Sequence, residues 1–319
     1  MRALLLTLAV AAAVAALPAS AGTRIEGVPQ LGPVFVLIGE NTDYQHPDAT
    51  DSPYMMTSLR PRSAWFTNYY AATHWSQANY VALTSGQFTP CEQKDLGYAC
   101  RDDADNVFHQ LEGSNRSWHV WLEAGTAKCD TGSGGTCTSN DPCPLTGFYT
   151  TGNPPIDYTN ISYADCLAND VPAGDATDGM STFNAALAHG TVPDFNLVIP
   201  NGCEDGEANC KPLNDKHLQF DMFLRREIPL IEASPAFGRN GVIVVTYDED
   251  QRMGGLAAKN GLGSGGHTIC FVISPLAVPG EYGATTYSYS LLRTLQDGLG
   301  LSPYLGDAAN VAPLPVSWR

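Results

Sequence analysis

The sequence predicts an α/β protein of three layers, in which helices cover both faces of a doubly wound, mostly parallel sheet. Short apolar runs rich in β-branched residues recur along the 319-residue chain, and such runs are typical of interior strands. Stretches with a helical period lie between them, and strand alternating with helix is the pattern of a doubly wound fold. The predicted strands are Val34 to Gly39, Trp118 to Glu123, Phe195 to Pro200, Gly241 to Tyr247 and Ile269 to Ser274.

Three stretches between these runs have the spacing of helices. "ADNVFHQLEG" and "MSTFNAALAHG" are short, and Gly190 closes the second. "DKHLQFDMFLRREIPLIEAS" is longer and keeps an apolar face through Leu218, Phe223, Leu224 and Ile228. Each of these helices is expected to pack on the sheet through its apolar side.

The first 21 residues have the pattern of a secretory signal. Arg2 provides the positive start, Leu4 to Leu17 the apolar centre, and Ala19-Ser20-Ala21 the cleavage site. We therefore expect a secreted or periplasmic protein with one domain over residues 22–319. No later stretch approaches the about 20 apolar residues of a membrane-spanning helix. The formal charge of −16 disfavours nucleic acid and anionic membranes as partners.

Nine cysteines in an exported chain indicate disulfides rather than thiol chemistry. Most of them lie in a predicted Cys-rich loop insertion from about residue 91 to residue 166. Local pairing is the simplest expectation, although connectivity does not follow from sequence. Cys270 lies within an apolar run and is expected to be buried and unpaired. The disulfide candidates are Cys91, Cys100, Cys129, Cys137, Cys143, Cys166, Cys203 and Cys210.

Polar and acidic residues collect where the predicted strands end. Glu40 and Asn41 follow the first strand, Asp248 and Glu249 follow the fourth, and His267 precedes the fifth. Ligands of open α/β sheets bind beyond the carboxyl ends of the strands, and oxygen ligands favour hard divalent cations. The pattern predicts one shared site for a divalent metal ion, whereas an ordinary solvated turn is the alternative for the acidic run. The other residues of this census are Asn201, Glu204, Asp205 and Asp250.

A serine lies at the start of a further predicted helix, within "THWSQANYVALTSG". Ser76 would there be close to backbone N–H groups and to the positive end of the helix dipole, which stabilise both an attacking alkoxide and a phosphate. The alternative is that Ser76 is only a helix N-cap.

Four blocks resemble, in the same order, those of the phosphoesterase family that contains bacterial phospholipases C and bacterial and fungal secreted acid phosphatases. The blocks are "GENTDY", "TNYYAATHWSQANYVALTSG", "VIVVTYDED" with "GSGGHTICFVISP", and "YSYSLLRTLQDGLGL". The resemblance covers nearly all of residues 22–319 except the Cys-rich region. It implies an alkaline-phosphatase-like core.

The resemblance also implies a divalent metal ion as cofactor and a serine nucleophile that is phosphorylated during turnover. That serine is Ser76, and Asn41 and His74 would contact the phosphoryl group. His267 would contact the same group or a second metal ion. The implied metal ligands are Glu40, Asn41, Ser76, Asp248 and Glu249.

The chain departs from the family pattern at three places. Trp75 replaces a proline before the nucleophile, and Gly152 lies where a histidine is usual. After the third strand, Asp205 keeps the place of an aspartate, but Glu207 lies where the family has a histidine. Either Glu207 acts as an oxygen ligand or His217 fills the space, which leaves a second metal or phosphate contact open.

The predicted function is an exported, metal-dependent hydrolase of phosphoric esters, of the acid phosphatase type. Its partner would be a small phosphate ester or a phospholipid head group, and oligomeric state does not follow from sequence. A phospholipase C is the alternative within the same mechanism. From other classes, the alternatives are a metal-free esterase with a triad of Ser76, His267 and Asp248, and a non-catalytic binding protein. The triad esterase lacks the G-x-S-x-G elbow.

Overall fold

The computed structural model describes residues 24–87, 101–123, 125–130, 152–175, 178–251 and 261–319. Strands in these ranges form a two-stranded ribbon near residue 24 and one nine-stranded sheet. The strands are β1 (Arg24–Ile25), β2 (Val28–Pro29), β3 (Val34–Gly39), β4 (Ala64–Tyr70), β5 (Trp118–Leu122), β6 (Asp170–Pro172), β7 (Phe195–Ile199), β8 (Val242–Tyr247), β9 (His267–Ile273), β10 (Gly280–Tyr282) and β11 (Thr286–Tyr287).

The main sheet is parallel except for one strand. Its order is β10-β4-β9-β8-β3-β7-β5-β6, and β11 pairs with β4. β9 runs antiparallel to β8 and β4, whereas every other described pair in this sheet is parallel. β3 lies at the centre and all six of its residues are buried, as expected for an interior strand.

All five predicted strands are present, and the longest strand that was not predicted is β4, with seven residues. β4 begins with the apolar Ala64, but Thr67 and Asn68 interrupt its pattern where the pairing with β9 is irregular, between Phe66 and Tyr69. A bulge of this kind breaks the alternation by which a strand is predicted. The fifth predicted strand, β9, is real but runs against its neighbours, which a single sequence does not indicate.

Helices cover both faces of the sheet, as predicted. Alternate residues of β3 divide between two cores: Val34, Val36 and Ile38 belong to one, and Phe35 and Leu37 to the other. The first core also contains side chains of α1, α2 and α6, and the second contains side chains of α4 and α5. The helices are α1 (Ser76–Ser85), α2 (Val107–Gly113), α3 (Tyr163–Asn169), α4 (Ser181–His189), α5 (Lys216–Ala233) and α6 (Ser288–Leu299).

Two disulfides join described cysteines. Cys203 pairs with Cys210, which are seven residues apart, as local pairing predicts. Cys129 instead pairs with Cys166, 37 residues away. Cys270 is buried with a free thiol, as expected. The other candidates, Cys91, Cys100, Cys137 and Cys143, lie outside the described residues, as does the predicted signal segment.

The segment predicted as a loop insertion, residues 91–166, contains elements of the core. α2 and β5 both lie within it, and β5 is hydrogen-bonded to β7 along its whole length. In the described ranges, no helix is both long and apolar enough to cross a bilayer.

Asp170, the first residue of β6, is a buried carboxyl group whose charge opposes folding. Its Oδ2 accepts a hydrogen bond from Asn153 Nδ2 at 2.8 Å, while its Oδ1 has no partner within the described residues. Burial raises the pKa of Asp170 to about 7, and Asp130 adds to the effect. The folded state therefore holds a proton that the unfolded chain releases near its ordinary pKa.

Asp170→Asn is expected to flatten the dependence of stability on pH. Because the folded pKa is raised, the wild type loses stability as the pH increases from about 4 to about 7, by up to a few kcal/mol. A neutral amide removes that loss, so the difference in Tm between pH 5 and pH 8 becomes smaller. Thermal unfolding at both pH values checks this, and an equal pH effect in both proteins would contradict it.

Candidate active site

The predicted site residues meet at one edge of the sheet. β3 ends at Gly39 and β8 at Tyr247, so Glu40 and Asp248 leave the sheet side by side, and Asp248 N donates to Gly39 O at 2.9 Å. β9 begins with His267, and its reversed direction brings this first residue to the same edge. The same edge of the sheet therefore holds residues that follow β3 and β8 and the residue that begins β9.

Ser76 is the first residue of α1, and its hydroxyl faces Glu40. Ser76 Oγ donates to Glu40 Oε2 at 2.8 Å, and it makes no N-capping hydrogen bond, because the residue before the helix is Trp75. The other oxygen, Glu40 Oε1, accepts from Tyr80 OH at 2.6 Å. Ser76 is therefore held against a carboxylate rather than against its own helix, which removes the N-cap alternative.

The turn that presents Ser76 is locked by Asn79. Asn79 Oδ1 accepts from Thr73 N at 3.0 Å, and Asn79 Nδ2 donates to Thr73 O at 2.7 Å. Asn79 Nδ2 also lies 3.2 Å from Glu249 Oε2. Trp75 lies inside this turn with a φ of 83°, a conformation that costs a residue with a side chain about 1–3 kcal/mol. The turn thus fixes the serine relative to the carboxylates.

Asn41 links three strand ends. Its backbone N–H donates to Asp248 Oδ1 at 2.9 Å, and its Nδ2 donates to Glu207 Oε2 at 3.3 Å. Its φ is 27°, in a region that asparagine tolerates better than most residues. Asn41 Oδ1 and Asp248 Oδ2 are both buried and make no hydrogen bond within the described residues.

His74 is oriented by the acidic run after β8. His74 Nδ1 lies 3.0 Å from Glu249 Oε2, and Nε2 lies 4.0 Å from Asp250 Oδ1. His74 Nε2 is buried and has no hydrogen-bond partner in the described part of the chain. The hydrogen bond to Glu249 raises the pKa of His74. The acidic run is therefore buried and engaged, and is not a solvated turn.

His267 contacts two tyrosine rings and a backbone carbonyl. Its ring stacks between Tyr44 and Tyr70, with ring centroids 4.3 and 5.1 Å away, and its Nε2 lies 3.1 Å from Thr67 O. Ser76 has Glu40, not an imidazole, as its hydrogen-bond partner. This geometry does not support a Ser-His-Asp triad.

Two glycines in "GSGGHT" allow the loop before β9 to approach the site. A β-carbon on Gly265 would lie 1.9 Å from Thr73 O, and one on Gly266, whose φ is 87°, would lie 1.9 Å from Asp250 Oδ2. Any larger residue would push the loop away from the serine turn and from Asp250. Glycine at both positions follows from these close approaches.

Glu207, and not His217, approaches the first strand end. Asp205 O accepts from Glu40 N at 2.7 Å, and Asp205 Oδ1 accepts from Glu207 N at 2.8 Å. Glu207 then reaches Asn41, whereas His217 stacks on His46 with centroids 5.7 Å apart. Of the two alternatives left open by the sequence, only Glu207 lies beside the predicted site.

Glu204 belongs to a separate ionic cluster around Arg226 of α5. Arg226 Nη2 lies 2.7 Å from Glu204 Oε2 and 3.0 Å from Glu123 Oε1, and its Nε lies 2.5 Å from Glu227 Oε1. Glu123 and Glu227 are buried, so each would be costly to leave without a cation. The cluster anchors the loop from residue 201 to residue 210, which carries Asp205 and Glu207.

Arg226→Met is expected to lower the free energy of unfolding by about 2–3 kcal/mol. Loss of one partner of a fully buried ion pair costs about 3–5 kcal/mol, and the figure is reduced because the side chain of Arg226 is 43% exposed. Urea unfolding measures the loss. Arg225→Met is the matched control, because Arg225 directly precedes Arg226 in α5 and is exposed. Equal stability of both variants would contradict the anchoring role.

Burial and mutual repulsion weaken the acidity of the clustered carboxyl groups. Burial raises the pKa of Glu40 to about 7, and Glu207 and Glu249 add repulsion, against the hydrogen bonds from Tyr80 and Ser76. Burial also raises the pKa of Asp248, with Glu40 as the next cause. Such a cluster is stabilised in its charged form by a cation.

The donor set fits a hard divalent cation. It consists of carboxylate and amide oxygens at one sheet edge, among them the unpartnered Asn41 Oδ1 and Asp248 Oδ2, and such oxygens are preferred ligands of Mg²⁺, Ca²⁺ and Mn²⁺. Among the described residues, the group of three His, Cys, Asp or Glu side chains whose ligand atoms all lie within 4.8 Å of one another is Cys129, Cys166 and Asp170, and its two cysteines form a disulfide.

A cavity of about 430 Å³ lies in front of Ser76. Several residues around it were not assigned to the site from the sequence: Tyr80 and Asn79, which hydrogen-bond to Glu40 and Glu249, and Lys216 in the cavity wall. Gly152, where the family has a histidine, packs on Tyr80. The described lining consists of Asn41, His74, Trp75, Ser76, Glu207, Lys216, Glu249, Asp250 and Gln251.

Solved structures with the same architecture support the predicted core. A protein of the alkaline phosphatase superfamily from Vibrio parahaemolyticus superposes with a TM-score of 0.60 at 13% identity, over 91% of this chain and 72% of that one. A phosphonate monoester hydrolase of Agrobacterium radiobacter gives a TM-score of 0.54 at 14% identity, over 85% and 74%. At these identities the likeness concerns the fold, which is alkaline-phosphatase-like.

Three relatives are similar in sequence. A probable acid phosphatase of Kluyveromyces lactis is 25% identical over 69% of this chain, and an acid phosphatase of Aspergillus fumigatus is 24% identical over 91%. The chain spans 48% and 59% of the lengths of these two fungal proteins. A phosphatidylinositol-3-phosphatase of Mycobacterium tuberculosis is 26% identical over 93% of this chain and 86% of its own length.

The family itself is identified over most of the chain. Residues 34–302 match the phosphoesterase family, and this range includes β3, α1, β8 and β9, whose ends form the carboxylate cluster. The chain therefore belongs to the phosphoesterase family.

Proposed function

We propose that this protein is an exported, metal-dependent phosphatase of the acid phosphatase type that uses Ser76 as its nucleophile. The observation that carries the proposal is the contact of 2.8 Å between Ser76 Oγ and Glu40 Oε2 within a buried carboxylate cluster. The two disulfides fit export, because such bonds persist in oxidising compartments. The phosphatase names of the three relatives point to the same substrate class.

The residues that would hold the cation are Glu40, Asn41, Asp248 and Glu249, together with the hydroxyl of Ser76. When bound, a divalent cation lowers the pKa of a serine hydroxyl and neutralises charge on the transferred phosphoryl group. A serine hydroxyl is too weak an acid to ionise unaided, and the un-ionised hydroxyl is a poor nucleophile for phosphorus. Asp205 and Glu207 extend the acidic wall beside Asn41 and provide further oxygens.

In the first chemical step, Ser76 Oγ bonds to phosphorus as the bond from phosphorus to the leaving oxygen breaks. Glu40 Oε2 accepts the hydrogen bond of the serine hydroxyl, so it is placed to take the serine proton in this step. Tyr80 OH, at 2.6 Å from Glu40 Oε1, holds the carboxylate in this orientation. In the second step, a water oxygen bonds to phosphorus as the bond from phosphorus to Ser76 Oγ breaks. Ser76 Oγ regains its proton from Glu40, and phosphate leaves.

The side chains of His74 and Asn41, which carry no negative charge, face the phosphoryl group in this scheme. Glu249, which accepts a hydrogen bond from Asn79, holds the ring of His74 through Nδ1, so that Nε2 presents an N–H to a phosphoryl oxygen when the imidazole is protonated. The raised pKa of His74 favours that protonated form at acidic pH. Asn41 offers its side-chain amide beside the same position.

The test is hydrolysis of p-nitrophenyl phosphate and p-nitrophenyl phosphorylcholine by the purified protein, before and after chelation and after addition of Mg²⁺, Mn²⁺, Ca²⁺ or Zn²⁺. The proposal predicts release from the monoester that stops on chelation and returns with one of these ions. Preference for the phosphorylcholine ester would identify a phospholipase C instead. Release that is insensitive to chelation would indicate an esterase without metal, and no release from either ester would indicate a binding protein.

A further inference from the structure

Trp75 is an exposed aromatic residue directly beside the proposed nucleophile. Its exposed fraction is 41%, whereas Ser76 is 9% exposed. The other tryptophans near the sheet, Trp65, Trp118 and Trp121, are buried. Burial of apolar surface is worth about 25 cal/mol for each Å², so a ligand in the cavity that covers this indole would gain stabilisation.

The backbone of Trp75 is held in place, which fixes the point from which its side chain enters the cavity. Its φ of 83° is unfavourable, and the turn keeps it there through Asn79, whose N donates to Trp75 O at 3.2 Å and whose Nδ2 donates to the same oxygen at 3.3 Å. Asn79 is in turn bonded to Thr73 and Glu249. Trp75 is therefore a fixed wall of the cavity.

The cavity has room for more than a phosphoryl group. Its volume of about 430 Å³ lies within the range of about 300–1,000 Å³ found for sites that hold whole small molecules. The leaving group of the ester therefore shares the cavity with the phosphoryl group. Of the described lining residues, Trp75 has the largest apolar side chain.

The rest of the wall is polar and rich in hydrogen-bond acceptors. Glu207, Asp250 and Gln251 line it, and their oxygens accept hydrogen bonds from hydroxyl groups. Lys216 lies in the same wall and can donate hydrogen bonds to hydroxyl oxygens. A ring with hydroxyl groups on its rim and C–H bonds on its face fits this wall. Its hydroxyl groups can hydrogen-bond to the polar side chains, and its C–H bonds can pack on the face of the Trp75 indole.

We propose that Trp75 is a specificity residue on which the ring of a cyclic polyol or sugar monophosphate stacks, with its hydroxyl rim towards Glu207, Asp250 and Gln251. The inference rests on the proposed phosphatase function and names the substrate class of that site. It predicts that a phosphate on a hydroxylated ring is a better substrate than one on an open-chain polyol.

The test compares kcat/KM for myo-inositol 1-phosphate, glycerol 3-phosphate and phenyl phosphate in the wild type, Trp75→Ala and Trp75→Phe. We expect the wild type to prefer the inositol ester over the glycerol ester, and Trp75→Ala to reduce this ratio about tenfold, which corresponds to about 1.4 kcal/mol. Trp75→Phe should keep most of the ratio. Tyr163→Ala is the control, because Tyr163 is 71% exposed and outside the cavity lining.

An unchanged ratio in Trp75→Ala would overturn the inference, as would a larger loss of kcat/KM for phenyl phosphate than for the inositol ester in that variant, which would indicate an aryl site. Binding separates this outcome from failure of the proposed function. Ser76→Ala and the double variant Trp75→Ala/Ser76→Ala are titrated with myo-inositol 1-phosphate by ligand-observed NMR. Loss of the ring contacts only in the double variant supports the stacking role even without turnover, and equal ring contacts in both overturn it.

Discussion

Ser76→Ala is expected to lower kcat for p-nitrophenyl phosphate by about 10⁴-fold or more, the scale on which removal of a covalent nucleophile acts. Ser76 Oγ is the oxygen that would bond to phosphorus, and water has no comparable fixed position. Glu40 keeps its hydrogen bond from Tyr80 in the variant, so the fold and the carboxylate cluster should persist.

Ser85→Ala is the matched control for this change. Ser85 is the last residue of the same helix, is buried, and donates its hydroxyl to Val81 O at 2.8 Å. Its loss should leave kcat within about twofold. Residual activity of Ser76→Ala close to the wild-type value would show that another group attacks phosphorus.

Asp248→Asn is expected to abolish metal-dependent activity while stabilising the protein in the absence of metal. The buried Asp248 carboxylate is repelled by Glu40 and Glu249, and an amide removes that repulsion. An asparagine side chain retains one oxygen for the N–H groups of Asn41 and Glu249, which donate to Asp248 Oδ1 at 2.9 and 2.8 Å. The change therefore removes charge without removing these hydrogen bonds.

Thermal unfolding with and without the activating cation measures both effects. A cation at about 100 times its Kd adds about 2.7 kcal/mol to the wild type, which corresponds to a Tm rise of the order of 5 °C or more. Asp248→Asn should start from a higher Tm in chelator and gain little from the cation. Asp194→Asn, at the opposite edge of the sheet next to β7, should respond like the wild type. A full cation response in Asp248→Asn would contradict its place among the ligands.

The site residues that directly follow a strand could be predicted from the sequence. Glu40, Asn41, Asp248 and Glu249 each follow an apolar run directly, and parallel strands bring such positions to one edge. His267 reaches that edge for another reason, because β9 is reversed, and the hydrogen bonds that reverse it are not local in sequence. The serine turn was recognised from its helix pattern and from the family resemblance.

The supporting residues were not predictable because their roles depend on packing between distant segments. Tyr80 has the pattern of a core residue, and only the placement of α1 against β3 brings its hydroxyl to Glu40. Glu204 follows a strand like the other acidic residues, yet Arg226 of α5 pairs with it outside the site. The strand β4 was missed because its irregular pairing with β9 interrupts the alternation of apolar residues.

Trapping of the enzyme during turnover tests the central claim most directly. The protein is mixed with excess p-nitrophenyl phosphate and the activating cation, quenched in acid within milliseconds, and digested for mass spectrometry. A covalent intermediate predicts one added phosphoryl group on the peptide that contains Ser76, and none on that peptide in Ser76→Ala. Rapid turnover with no phosphorylated Ser76 at any quench time, or with the phosphoryl group on another residue, would contradict the account.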